Sequence, residues 1–162
     1  DQIMEMFVKN VAGDGAYFRS FCDTLKNGDA PEVEKLFSGY LRRTVSIRDT
    51  FVRKPTKENF YHGILLGILG YKTDWYVRSN REAGDGFSDI SIEIEDEGIG
   101  IIIEVKYAEK SRMEEVCREA LRQIEVTGYT EQLKEDDCDT ILKYGIACYK
   151  KQCRVMVETE KY

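Results

Sequence analysis

Residues 86–108, GFSDISIEIEDEGIGIIIEVKYA, are the most informative part of this chain. In residues 89–94 isoleucine alternates with polar residues, and this period of two predicts a strand with one buried face. The Asp-Glu-Gly sequence at 96–98 predicts a tight turn. Residues 99–105 are apolar almost throughout, which is typical of a central strand buried on both faces. The stretch therefore predicts a hairpin whose second strand lies inside a sheet.

Three charged residues belong to this otherwise apolar hairpin. Asp89 lies on the polar face of the first strand, and folding about the turn sets it opposite Glu104, to within a residue or two of register. Glu104 and Lys106 are two residues apart and therefore point to the same side of their strand. Burying a charge is costly unless another charge or a metal ion compensates it. A functional site and a structural salt-bridge network both explain these residues.

Apolar periodicity outside the hairpin predicts an α/β domain with a mixed sheet. The predicted order is helix, three strands, helix and two strands, over residues 57–71, 73–79, 87–95, 99–107, 111–127, 140–149 and 153–158. Helical spacing also predicts a short helical lead-in over residues 3–11, 17–25 and 31–41. Residues 44–55 lose the periodicity, and we interpret them as a connection between the lead-in and the main domain.

Composition excludes several classes of protein. The chain has 42% hydrophobic and 33% charged residues, which is ordinary for a globular domain. No apolar run approaches the roughly 20 residues that span a bilayer, and no signal-peptide pattern is present. Five cysteines without CxxC spacing predict reduced thiols, so we expect a cytoplasmic protein with no membrane partner. The single histidine, His62, excludes sites that need two imidazoles and fits a packed, hydrogen-bonded residue better than a base.

Charge is unevenly distributed along the chain. The net charge of -6 argues against a broadly positive surface for binding nucleic acid. Acids clustered around metal ions would also make the net charge more negative. Between Arg42 and Lys57 there are six basic residues and one acid, Asp49. A solvated linker explains this run at least as well as a strip that contacts phosphates.

Asp89, followed after a hairpin by Glu104-Val105-Lys106, resembles the signature of the PD-(D/E)xK nuclease superfamily. One departure from that signature is Ser88, which stands where the named motif has proline. Proline is widely replaced in the superfamily. The resemblance implies a restriction-endonuclease-like core.

Two further residues match the superfamily. Glu58 opens the buried helix ahead of the sheet, where members often place an additional acidic ligand. Gln123 lies in the helix after the signature, where many members carry a polar residue that faces the site. Both have structural alternatives: Glu58 would favour a helix N-terminus by its charge, and Gln123 would be a boundary position.

The sequence is similar in particular to the branch found as the C-terminal domain of bacterial AAA-ATPase-like proteins. The pattern E-x-x-YH-x-x-LLG-x-L over residues 58–69, Ser-Asn-Arg-Glu at 79–82 and A-L-x-Q-I at 120–124 carry this similarity. It implies a nuclease-like domain over residues 56–162. Residues 1–55 would be a helical lead-in and connection from an upstream domain, an ATPase.

The resemblance implies a metal-dependent nuclease acting on nucleic acid, DNA before RNA, with Mg²⁺ as cofactor and Mn²⁺ as its substitute. It implies four metal ligands: Glu58, Asp89, Glu104 and the carbonyl of Val105. Lys106 would orient the attacking water and stabilise charge on phosphorus, with Gln123 in support. A catalytically silent module that binds nucleic acid or a partner protein is the alternative. A homodimer is left open by the sequence.

Overall fold

The computed structural model describes residues 15–44, 54–81 and 88–162. Within them, five α-helices and five strands form an α/β structure with a mixed sheet, as the sequence predicts, and the arrangement is consistent with a restriction-endonuclease-like fold. None of the helices in these three ranges is long and apolar enough to cross a bilayer.

The helices and strands follow one another in the predicted order, with one additional helix. The helices are α1 (Gly15–Lys26), α2 (Ala30–Thr44), α3 (Lys54–Leu69), α4 (Met113–Thr127) and α5 (Tyr129–Glu135). The strands are β1 (Tyr76–Arg81), β2 (Ser88–Ile94), β3 (Ile99–Tyr107), β4 (Thr140–Tyr149) and β5 (Gln152–Lys161). Short 3₁₀ turns occupy Glu95–Glu97 and Lys110–Arg112.

The strands lie side by side in chain order, β1-β2-β3-β4-β5. β3 and β4 pair in parallel through the α4 crossover, and every other pairing is antiparallel. β3 and β4 are also the strands with nearly continuous burial, because helices cover both faces of the sheet at its centre. Gly98 closes the β2–β3 hairpin in the left-handed conformation at φ 65°, which glycine adopts without a steric penalty.

The two faces of β3 meet different helices. Ile101, Ile103 and Val105 join the core formed with α1, α2 and α3, whereas Ile102 packs among residues of α4 and α5. By the alternation along the strand, Glu104 and Lys106 share the face of Ile102. Gly145 of β4 lets α4 approach this face closely, because a Cβ there would overlap the carbonyl oxygen of Cys117.

The helical lead-in shares its core with the sheet. Phe18, Phe21 and Phe37 are fully buried in the cluster that also contains the isoleucines of β2 and β3. The hydroxyl of Tyr144 donates a hydrogen bond of 2.6 Å to the carbonyl oxygen of Leu25. α1 and α2 therefore pack on the sheet directly, and a covalently linked upstream domain stays a prediction.

Several predicted boundaries differ from the structure. β1 begins at Tyr76 rather than at residue 73, α3 begins at Lys54 rather than at residue 57, and β5 continues to Lys161 rather than ending at residue 158. α5 was not predicted, because only Thr130 and Leu133 of its seven residues are buried and no apolar stripe shows in the sequence. The helix expected over residues 3–11 and most of the connection expected over 44–55 lie outside the described residues.

Candidate active site

Asp89 and Glu104 are direct partners in the antiparallel register between β2 and β3. Residues directly opposite in such a pair have Cα atoms about 4.5–5.5 Å apart and side chains on the same face. The next rung, Ile90 with Ile103, points to the other face and into the core. The hairpin thus places the two carboxyl groups side by side on the face covered by α4.

β2 begins at Ser88, one residue before Asp89, and residues 82–87 lie outside the described residues. The pairing of β2 with β3 ends at Asp89 and Glu104, whereas β3 stays paired with β4 as far as Tyr107. Within the described residues, no residue of β3 beyond Glu104 pairs with β2. The acid pair therefore lies at the N-terminal end of β2, beside the part of β3 that continues to Tyr107.

Both carboxyl groups are almost completely buried. Asp89 is 3% exposed and Glu104 is 2% exposed. Within the described residues, Oε2 of Glu104 is buried and has no hydrogen-bond partner. A buried carboxylate in this state is costly, and the two remedies are a proton or a cation.

Burial raises the pKa of Glu104 to about 8. The Lys106 ammonium opposes this shift, and the negative charges of Asp89 and Glu58 add to it. Glu104 therefore interacts electrostatically with the other three charged residues predicted for the site. In the metal-free protein at neutral pH it carries a proton that a cation would displace.

Glu58 comes from α3, on the opposite side of the sheet from α4. It is half-buried, and its charge reaches Glu104. Because α3 begins at Lys54, Glu58 lies in the second turn of the helix. The first turn contains no acidic residue. The helix dipole acts mainly within the first turn, so favourable charge at the N-terminus is a poor explanation for Glu58.

Val105 and Lys106 take different positions on β3. The Val105 side chain is 4% exposed and packs in the core on the face away from Glu104, so only its backbone carbonyl is available as a ligand. Lys106 is half-buried and shares the face of Glu104 by strand alternation. The roles assigned to both residues stay predictions.

Gln123 lies on α4 between Ala120 and Ile124, both of which are buried against the sheet. It is half-buried on the helix that covers the face of Glu104 and Lys106. The structure thus places Gln123 on the expected side of the sheet. Its support of Lys106 or of a water stays a prediction.

The acids converge without forming a finished coordination shell. In the three described ranges, no three His, Cys, Asp or Glu side chains are grouped so that they could hold a metal ion. The donor set nevertheless fits a hard divalent cation, because it consists of carboxylate oxygens and includes the buried Oε2 of Glu104, which makes no hydrogen bond. Rotation of side chains would be needed to complete the shell.

The same sheet contains another buried charge, Lys143, which is neutralised by ion pairs. Lys143 of β4 is fully buried and bonds the carboxylates of Glu125 and Glu160, with 2.6 Å between Nζ and Oε1 of Glu160. The sequence interpretation did not include Lys143, because a single Lys in an apolar strand does not reveal which acids meet it. The sheet therefore neutralises one buried charge with acids from α4 and β5.

β1 adds polar groups that the sequence interpretation did not include. Asn80 is the register partner of Asp89 on β1, and its Nδ2 donates to Oγ of Ser91 at 3.1 Å. The signal in the sequence is a polar residue at every position from 78 to 81, which reveals a polar strand but no partner. His62 is 6% exposed and lies 2.9 Å from Oγ of Ser79, so it is packed and hydrogen-bonded as expected.

A family model described as the PD-(D/E)XK nuclease superfamily matches residues 56–158, more than half of the chain. The chain belongs to the PD-(D/E)XK nuclease superfamily. The match includes β1 to β4, most of β5 and all six predicted site residues. PD-(D/E)XK proteins are generally nucleases that use divalent metal ions, so membership implies nucleic acid as the substrate. A comparison with curated proteins found no significant match.

Proposed function

We propose that this chain is a metal-dependent nuclease that hydrolyses phosphodiester bonds of DNA. The observation that carries the proposal is the buried pair of Asp89 and Glu104, which are direct register partners at the start of β2. Lys106 lies on the same face two residues further along β3. A purely structural module has no need of two buried acids and a lysine in this arrangement.

The residues that would hold the metal ion are Asp89, Glu104, Glu58 and the carbonyl of Val105. Oxygen donors without imidazole or thiolate favour Mg²⁺, with Mn²⁺ as a substitute, over Zn²⁺. A bound divalent ion supplies a Lewis acid for the scissile phosphate and lowers the pKa of a bound water. Glu104 must give up its proton to become a ligand, so binding is expected to strengthen as the pH approaches 8.

The other assigned residues act on the attacking water and on the phosphate. The Lys106 ammonium would orient the water by hydrogen bonding and stabilise negative charge as it develops on the phosphate oxygens. Gln123 would support Lys106 or the same water from α4. Both groups come from rigid secondary structure, which favours accurate positioning.

We further propose that the chain belongs to the branch attached to AAA-ATPase-like proteins. The patterns at residues 58–69 and 120–124 support this, and they lie on α3 and α4, the two helices that approach the site. A linked upstream ATPase domain would then be the covalent partner, and homodimerisation is a second candidate assembly. All five cysteines are free and buried, which supports the cytoplasm as the compartment.

A catalytically silent module is the second candidate. It is favoured by the lack, within the described residues, of three ligands already grouped for a metal ion. Such a module would use the same fold to bind nucleic acid or a partner protein without cleaving it. Direct assay of cleavage separates the two candidates.

The test is incubation of purified protein with supercoiled plasmid and with labelled oligonucleotides. We expect cleavage with Mg²⁺ or Mn²⁺, none in a chelator, and none by Asp89→Asn under any condition. Glu135→Gln, which removes an exposed acid on α5, is the matched control and should cleave normally. Cleavage by Asp89→Asn at the wild-type rate would contradict the proposed site, and binding without cleavage would favour the silent module.

A further inference from the structure

Cations and aromatic rings form a continuous row at the end of the sheet where β3 and β4 end. Nζ of Lys57 lies 4.3 Å from the ring centroid of Tyr107, and the rings of Tyr107 and Tyr149 are 6.0 Å apart. Nζ of Lys150 lies 5.3 Å from the ring centroid of Tyr149. Cation–π contacts of this kind hold lysines in defined positions while leaving their charge unneutralised.

The row ends at a hairpin tip that presents two lysines. Tyr149 pairs with Gln152, so Lys150 and Lys151 form the two-residue turn between β4 and β5. Lys150 adopts a φ of 51°, in the left-handed region that glycine or asparagine would occupy at lower cost. The hydroxyl of Tyr61 donates a 2.7 Å hydrogen bond to the Lys150 carbonyl oxygen and ties the tip to α3. A lysine is thus kept at a position where a smaller residue would be easier to accommodate.

Arg42 extends the positive surface across a groove. Arg42, Lys150 and Lys151 line a groove of about 400 Å³, and all three are exposed. None of them forms a salt bridge with a residue in the three described ranges. We call Arg42, Lys57, Lys150 and Lys151 the basic rim. These four cations have no salt bridge to an acid in residues 15–44, 54–81 or 88–162, on a chain whose net charge is -6.

The basic rim lies at the same end of the sheet as Lys106, although Tyr107 is on the face opposite Glu104 and Lys106. Lys57 precedes Glu58, and Tyr107 follows Lys106 at the end of β3. Lys106 and Tyr107 are register partners of Ala147 and Cys148, so the turn at Lys150 comes just beyond the same end of the sheet. Arg42 and Lys57 also begin and end the basic run seen in the sequence.

We propose that the basic rim binds the phosphates of a nucleic-acid strand and leads that strand to Asp89 and Glu104. This inference rests on the proposed function and specifies where its substrate lies. Phosphates spaced along a strand match a row of cations, and salt-sensitive affinity follows from counterion release. The Tyr107 and Tyr149 rings orient the lysines and offer faces on which an unpaired base can stack.

The test compares two exposed lysines at opposite ends of β5. Lys151→Glu alters the basic rim, whereas Lys161→Glu changes the net charge equally at the other end of the strand, about 30 Å away. Lys150→Asn removes a second rim charge with a residue that tolerates the left-handed conformation. Binding of a labelled single-stranded oligonucleotide is measured in a chelator at several salt concentrations, so that no cleavage is required. Circular dichroism checks that each variant is folded.

We expect Lys151→Glu to weaken binding about tenfold at low salt and to reduce the slope of log affinity against log salt by about one. Lys150→Asn should have a similar but smaller effect, and Lys161→Glu should change affinity less than about twofold. Equal weakening by Lys151→Glu and Lys161→Glu, or no weakening by either, would overturn the inference. Binding to anionic lipid vesicles but not to the oligonucleotide would also overturn it.

The outcome for the basic rim is separable from that for the nuclease. If the wild-type protein cleaves DNA and Lys151→Glu binds DNA normally, the proposed function stands and the inference that the basic rim binds phosphates is wrong. If oligonucleotide binding depends on the basic-rim lysines but no cleavage occurs with Mg²⁺ or Mn²⁺, the inference about the basic rim stands and the nuclease proposal fails.

Discussion

Asp89 and Glu104 form the last rung between β2 and β3, with each carboxyl group at most 3% exposed. Two acids this close cannot both stay ionised in a buried position without a compensating charge. Because the pKa of Glu104 stays raised despite the Lys106 ammonium, this lysine does not compensate both charges, and a proton or a cation is needed beside the pair. This arrangement links the stability of the fold to the occupancy of the site.

The first prediction concerns the pH dependence of stability in the metal-free protein. Because burial raises the pKa of Glu104 from 4.5 to about 8, the folded protein binds more protons than the unfolded chain between these values. The contribution of this group to the free energy of unfolding is fully present below pH 4.5 and is lost as the pH rises through 8. Glu104→Gln should remove this dependence and make the protein more stable than the wild type at pH 9.

Urea unfolding in a chelator from pH 5 to pH 9 measures this effect as the difference between wild type and variant. Glu135→Gln, an exposed substitution on α5, is the control and should follow the wild type throughout. Parallel curves for wild type and Glu104→Gln would show that Glu104 does not titrate abnormally.

The second prediction separates catalysis by Lys106 from a structural role. Lys106→Met retains the alkyl volume and removes the charge. If Lys106 stabilises the transition state, cleavage should fall about 10²–10³-fold while Mg²⁺ affinity stays nearly unchanged. If Lys106 is only one half of a buried ion pair, its removal should cost about 3–5 kcal/mol of stability without metal, with partial rescue by Mg²⁺.

Single-turnover cleavage and thermal unfolding, each with and without Mg²⁺, distinguish these outcomes. Lys110→Met, in the exposed turn after β3, is the matched control. A folded Lys106→Met that binds Mg²⁺ and cleaves at the wild-type rate would remove Lys106 from the site.

The third prediction tests the packing of α4 on the sheet. A Cβ at Gly145 would overlap the carbonyl oxygen of Cys117 and press on Ala120 and Leu121. Gly145→Ala should therefore push α4 away from β4 and cost about 1–3 kcal/mol. Because α4 also carries Gln123, cleavage should fall even where the variant remains folded.

Gly63→Ala is the matched control for this substitution. Gly63 lies in α3 with nothing within 4 Å of an added Cβ, so alanine should stabilise the helix by about 0.5–1 kcal/mol. Chemical denaturation of both variants gives the comparison. Equal stability of Gly145→Ala and wild type would mean that the close approach of α4 is not required.

Alternation in β2 is the reason that the acid pair could be predicted from sequence. A slip of one residue would turn Ile90 and Ile92 to the wrong face, so burial of the isoleucines determines the register that joins Asp89 to Glu104. The turn at Gly98 also restricts the register, because a short turn allows few pairings of the two strands. Local patterns therefore specify both the hairpin and its acids.

Contacts made across the fold could not be predicted in this way. The charge of Glu58 reaches Glu104 from a helix on the other side of the sheet, and this depends on tertiary packing. The basic rim likewise draws Arg42, Lys57 and Lys150 from α2, α3 and the β4–β5 turn. The basic run joins Arg42 to Lys57, but no sequence pattern relates them to Lys150. α5 was missed for a different reason, its lack of an apolar stripe.

Metal titration by calorimetry measures whether Asp89 and Glu104 bind a metal ion. We expect wild-type protein at pH 7 to bind Mg²⁺ and Mn²⁺ with release of about one proton, since Glu104 must ionise to become a ligand. Asp89→Asn and Glu104→Gln should each weaken binding roughly 100-fold, whereas Glu135→Gln should not. Wild-type affinity in a folded Asp89→Asn, or no binding by the wild type at millimolar Mg²⁺ or Mn²⁺, would contradict the assignment of these two acids as a metal site.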